Sequence, residues 1–191
     1  MITAEDIFGG IDTEAVRSLV RGTYMGKYGV SLRHGAGEAI EWAKAFGLDT
    51  REPCKVLDIG CGIGTFAKTC DVLGHDTTGI DQPGYMHAEV AKLMGIKFIE
   101  HKVTAADPLP PFEPETFGVV TTMHISNHEG KAFYQSLADV VWQALQPGGQ
   151  WWIVFHFQSA HWMRWEQWGE WFNPGRITQR GSRVLLLEKP L

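Results

Sequence analysis

Residues 56–64 read VLDIGCGIG, an apolar strand that runs through an acid into three glycines, each separated by one residue. Glycine at that density lets the backbone take left-handed turns and pass close to a neighbour. The stretch that follows, TFAKTCDVLG, reads as a helix. A strand, a glycine turn and a helix in that order form a crossover, which brings the next strand back parallel to the first.

The rest of the chain repeats that unit. CKVLDI, DTTGID, IKFIEH, FGVVTTM and QWWIVFHF read as strands, and a short helix near 85–94 and a long one over KAFYQSLADVVWQALQPGG lie between them. The long helix is closed by its proline and two glycines. RVLLLEKPL reads as a last strand, paired with a short neighbour around 176–179. Apolar, β-branched strands alternating with helices predict an α/β fold, a doubly wound, mostly parallel Rossmann-like sheet of about seven strands covered on both faces. The strand near the C-terminus is expected to run antiparallel. The first fifty residues look helical with a break at 24–31; Asp12 is an N-cap candidate, and Ala39, Ile40, Ala43 and Phe46 fall on one face of GEAIEWAKAFG. With no repeat or linker, residues 1–191 read as one domain: a helical cap over 1–50, a ligand-binding core over 52–157, and an aromatic helix with terminal strands over 158–191.

Charge and cysteine content narrow the setting. A formal net charge of −5 argues against a nucleic-acid backbone binder, which carries a basic surface. Cys54, Cys61 and Cys70 form no CxxC pair, and MITAEDIFGG has neither a basic region nor an apolar run. Both point to a cytoplasmic chain with free thiols. No apolar stretch reaches the roughly 20 residues that span a bilayer.

In a parallel α/β sheet, ligands sit at the carboxyl ends of the strands where the strand order switches. Gly60, Cys61, Gly62 and Gly64 lie there. A dinucleotide fingerprint has its third glycine where this chain has Thr65. Asp58, two residues before the first glycine, is awkward beside a pyrophosphate and suits a cationic or amine-bearing ligand. Asp81, 21 residues after Gly60, stands where a carboxylate accepts hydrogen bonds from both hydroxyls of an unphosphorylated ribose. A ribose and a positive charge without phosphate describe S-adenosyl-L-methionine better than a nicotinamide dinucleotide.

VLDIGCGIGTFA, TTGIDQ, FGVVTTMHISNHEG and ALQPGGQWWIVF, in that order and spacing, resemble a class I S-adenosylmethionine-dependent methyltransferase of the small-molecule branch. The resemblance implies that Gly60, Cys61 and Gly62 run beneath the methionine and ribose of the cofactor. Asp58 would orient that loop through its amides or meet the ligand's amino group. It also implies that Asp81 holds the ribose with Gln82 beside the adenine, and that Ala106 and Asp107 bind the adenine edge. Tyr24 would close over the cofactor from the amino-terminal side. Gly118 stands where the family often has Asp, which predicts a looser start to the fourth strand.

Methyl transfer is an in-line displacement in which the protein aligns the nucleophile and removes its proton. His124, His128 and His156 fall at the carboxyl ends of the fourth and fifth strands and are the candidate bases; for each, a plain backbone hydrogen-bonding role is the competing reading. His124 and His128 stand four apart, but no metal-ligand spacing here is diagnostic, and no metal is expected. Six of eight tryptophans lie between 151 and 171. SAHWMRWEQWGEWF reads as an amphipathic helix packed on the sheet, or as a lid over an aromatic or lipophilic acceptor, or as a homodimer contact. The leading reading is methyl transfer to an oxygen, nitrogen or carbon of a small molecule. The alternative is a non-catalytic cofactor-binding module that uses the tryptophan face for a protein partner.

Overall fold

The central strands are buried almost continuously, and because successive side chains point to opposite sides each strand commits one set to each face of a sheet. The computed structural model describes residues 2–20, 32–84, 86–124, 131–155, 176–179 and 184–191. Among them are the strands β1 (Lys55–Ile59), β2 (Asp76–Asp81), β3 (Lys97–Glu100), β4 (Phe117–Met123), β5 (Leu145–Val154), β6 (Arg176–Gln179) and β7 (Val184–Glu188). They form one sheet in the order β3-β2-β1-β4-β5-β7-β6. β1 to β5 are parallel, and β7 runs antiparallel to both β5 and β6. This is the expected seven-stranded, mostly parallel sheet, with its switch in strand order between β1 and β4.

The helices are α1 (Ala4–Phe8), α2 (Thr13–Val20), α3 (Leu32–Ala45), α4 (Thr65–Val72), α5 (His87–Met94) and α6 (Lys131–Ala144). α6 covers one face, burying Phe133, Leu137 and Val141 against Leu57, Ile59, Val120, Trp151 and Ile153. α3 and α4 cover the other, where Ala39, Ala43, Phe46, Phe66 and Cys70 meet Val56, Val119, Trp152 and Val154. The adjacent Trp151 and Trp152 therefore serve opposite cores. Trp151 Nε1 donates to Thr122 Oγ1 at 2.9 Å, and Trp152 stacks on Phe46 with centroids 4.7 Å apart. Deleting either ring would cost about 3–5 kcal/mol by the usual penalty for emptying a core.

Local chemistry sets the joints. The Asp12 carboxylate accepts from the Ala15 amide at 2.9 Å, the expected cap of α2. The Cys54 amide donates to His75 Nδ1 at 3.2 Å, and His75 Nε2 lies 2.9 Å from the Leu48 carbonyl. With its proton on Nε2, this buried ring ties the turn after α3 to the starts of β1 and β2. Among the described residues no helix is long and apolar enough to cross a membrane.

Two boundaries differ from the sequence reading. α3 starts at Leu32, ahead of the GEAIEW stretch. β5 starts at Leu145 rather than at Gln150, taking in the segment read as the end of the helix. Leu145 pairs with Phe117, the register then shifts, and Gln150 pairs with Val119. The two buried side chains of Leu145 and Phe117 hold the first pair in the core. At the break sits Gly118, where an added Cβ would lie 2.9 Å from Cys54 Cβ. The loose start predicted for the fourth strand is a local register shift packed against Cys54.

Gly79 in β2 has a similar constraint, since an added Cβ would fall 2.7 Å from Cys61 Sγ and 3.2 Å from Cys61 Cβ. Gly79→Ala is expected to destabilise the fold by about 1–3 kcal/mol, as overpacking does. Urea unfolding should show most of that loss recovered in Gly79→Ala/Cys61→Ala; an unrecovered loss would place the strain elsewhere.

Candidate active site

β1 and β2 end side by side with Ile59 opposite Ile80, and the chain then turns at Gly60. Gly60, Gly62 and Gly64 have φ of +76°, +57° and +80°. That left-handed region costs other residues about 1–2 kcal/mol each, so the alternate glycines are what let the loop take this path. It is fastened from below by the Gly60 and Cys61 amides, which both donate to the Ile80 carbonyl at 2.8 and 3.0 Å. Gly64 then caps α4, and a Cβ there would strike Ile96 Cδ1. A Cβ at Gly62 would meet no atom of the described residues within 4 Å, so among them open space borders the middle of the loop.

Asp81 closes β2 and reaches back to that loop. Its Oδ2 accepts from the Gly62 amide at 2.7 Å and its Oδ1 from the Gln82 amide at 2.7 Å. His87 Nδ1 lies 3.4 Å from the same Oδ1, with both side chains largely buried. Burial pushes the Asp81 carboxyl up, but the adjacent His87 ring and the hydrogen bonds from the Gly62 and Gln82 amides outweigh it and hold the group below its usual range. Asp81 is thus an ionised carboxylate fixed at the edge of the loop.

Asp58 contrasts with it. It is 1% exposed, its Oδ1 accepts from Thr121 Oγ1 at 2.8 Å, and its Oδ2 is buried with no hydrogen-bond partner among the described residues. The Gly60, Cys61 and Gly62 amides run to Ile80 and Asp81 instead of to Asp58, which lies buried beneath the loop. Burial pushes its carboxyl up to about 7, and the nearby Asp81 charge adds to this against the Thr121 hydrogen bond. Burial and the same two carboxylates keep Cys61 a neutral thiol.

At the far end of the site Gln82, Ala106 and Asp107 are exposed. Asp107 sits in a turn in which its amide donates to Thr104 Oγ1 at 3.0 Å and the Thr104 amide donates to its carbonyl at 3.1 Å. His101 Nε2 lies 3.1 Å from that carbonyl. The His101 amide also donates to the Asp81 carbonyl at 2.8 Å, which joins the two halves of this edge.

His124 follows β4 on the same rim. It is one of two non-glycine residues with positive φ among those described, at +54°, and its amide donates to the Val154 carbonyl at 2.8 Å. Its Nε2 lies 3.7 Å from Glu38 Oε1, and its ring meets Trp42 edge-on with centroids 6.4 Å apart. Glu38 and Trp42, four residues apart on α3, present one helix face to it. His128, His156, Tyr24 and the SAHWMRWEQWGEWF stretch lie outside the described residues. Among the described residues no three His, Cys, Asp or Glu side chains gather as a metal site.

The sequence reading missed His87, Glu38 and Thr121. His87 had a signal, since His87, Val90, Ala91 and Met94 form the buried stripe of α5 and a histidine in such a stripe needs a partner. Glu38 and Thr121 had none, because their partners are set by how α3 and β4 pack.

Over residues 32–183 the chain matches a family described as a methyltransferase domain. A ubiquinone biosynthesis O-methyltransferase of Pseudomonas putida is 32% identical over 99 residues, which are 50% of this chain and 41% of that enzyme. One from Photobacterium profundum is 32% identical over 77 residues, covering 32% of its length. The chain therefore spans less than half of each of these relatives. Among solved structures, a TehB-like SAM-dependent methyltransferase from Corynebacterium glutamicum superposes with a TM-score of 0.62 at 15% identity, over 94% of this chain and 99% of that one; at that identity the likeness is one of fold. The chain belongs to the methyltransferase-domain family and has the fold of the class I S-adenosylmethionine-dependent methyltransferases.

Proposed function

We propose that residues 1–191 form one methyltransferase domain that transfers the methyl group of S-adenosylmethionine to an oxygen, nitrogen or carbon of a small molecule in the cytoplasm. A hydroxyl oxygen is the acceptor to test first, because the relatives in sequence are O-methyltransferases. The observation that carries this reading is the glycine loop at the switch point with the Asp81 carboxylate bonded to its middle amide.

The residues present fit the cofactor. Each Asp81 oxygen accepts a backbone amide and keeps a further lone pair, enough for a ribose diol. Open space borders Gly62, where the cofactor's methionine and ribose would lie. Gln82, Ala106 and Asp107 border the adenine end. The bound cofactor supplies a methyl group already activated on a sulfonium. The chain's own work is to align the acceptor and take its proton, and His124 is the described residue placed for it. The ring would take the acceptor's proton on a nitrogen, and the Glu38 carboxylate, 3.7 Å from Nε2, would stabilise the imidazolium. His128 and His156 belong to the same set of candidates.

Calorimetric titration with S-adenosylmethionine, S-adenosylhomocysteine and NADH tests the cofactor. Both adenosyl ligands should bind, and Asp81→Ala should weaken them about 100-fold, the value of two charge-assisted hydrogen bonds; binding of NADH alone would overturn the proposal. With a phenolic acceptor, His124→Ala should lower turnover on the order of 10²-fold, as loss of a general base does, while cofactor affinity holds.

Asp58 gives a test without ligand. The unfolded chain releases this proton near pH 4, whereas the folded one holds it to about 7, so the group's contribution to stability is present at low pH and is lost as pH rises through 7. Thermal melts of Asp58→Asn against the parent protein should shift in the variant's favour from pH 5 to pH 8. A difference that stays constant would mean that Asp58 ionises normally.

A further inference from the structure

His87 is 4% exposed, on the stripe of α5 that otherwise buries Val90, Ala91 and Met94. Those three pack with Val16, Ile63, Ala67 and Ile96 in an apolar cluster. An imidazole among such neighbours costs desolvation that a leucine would not. From there the ring reaches Asp81, with Nδ1 3.4 Å from Oδ1. The carboxylate is thus approached from three directions, by the loop at Gly62, by its own strand end at Gln82, and by α5 at His87. The two amides fix where the oxygens sit along the backbone, and the ring, held by the packing of α5, adds a side-chain contact that opposes rotation of the carboxylate plane.

We propose that His87 is a positioning residue that holds the Asp81 carboxylate in the orientation that receives a ribose diol. This rests on the cofactor reading above, and it gives α5 a part in recognition although its side chains need not touch the ligand. Carboxylate–diol recognition needs both oxygens aimed together, since a carboxylate turned out of plane keeps one hydrogen bond and forfeits the other. The ring also supplies a partner to a carboxylate that has Asp58 as a neighbour, which favours the ionised acceptor form.

The test compares S-adenosylhomocysteine with its 2′-deoxy and 3′-deoxy analogues by calorimetry. The parent protein should prefer the full diol. His87→Leu, which suits the apolar stripe, should weaken S-adenosylhomocysteine about 10-fold and the deoxy analogues by no more than about 2-fold, the size expected for losing one hydrogen bond to a charged group. Discrimination between the ligands would then narrow. Equal losses on all three ligands, or no loss, would overturn the proposal, because a purely structural role lowers every affinity alike. Should the leucine variant fail to fold, the comparison is His87→Asn against His87→Gln. The Asn amide nitrogen stands near the place of Nδ1 and should keep the discrimination; the Gln amide stands near Nε2 and should lose it. Equal behaviour of the two would overturn the proposal. A parent protein that does not discriminate would instead remove Asp81 as the ribose ligand, and the cofactor reading with it.

Discussion

Two amides on one carbonyl hold the site together. Gly60 and Cys61 both donate to Ile80, so the loop that ends the first strand is tied to the end of the second. That attachment is available only because β1 and β2 lie parallel and in register, and because glycines take the positive φ values that the path requires. Once the loop is held there, the Gly62 amide meets the Asp81 carboxylate, α4 starts at Gly64, and open space is left beside the middle of the turn. The site follows from how two strand ends are joined.

The two acids of this site show how position sets chemistry. Asp81 is held by backbone amides and a histidine and stays ionised. Asp58, one strand over, is buried beneath the loop, accepts from Thr121 and keeps its proton to near neutrality.

Much of this was legible in the sequence. The alternation of apolar strands and helices specified the sheet and its direction, and the glycines with Asp58 and Asp81 specified the switch-point site. Both are local patterns, carried within a few residues of one another. What escaped depends on distant partners. The early start of β5 comes from Leu145 finding Phe117, and the Glu38–His124 contact from the way α3 lies across the end of β4. His87 is the intermediate case, visible as a polar residue in an apolar stripe but without a nameable partner until β2 and α5 are packed.

The order of strands carries a consequence for the growing chain. β7 lies between β5 and β6, so the outer edge of β5, with Trp151, Trp152, Ile153 and Val154, has no neighbour until residues 184–188 leave the ribosome. Until then a long apolar strand is open to pairing with other chains. β6 emerges first, yet among the described strands it pairs with β7 and not with β5, so it does not protect that edge. At translation speeds of about 5–20 residues per second, the thirty or so residues between them leave β5 uncovered for a few seconds on each synthesis. During that interval the nascent chain depends on chaperones more than the finished fold does.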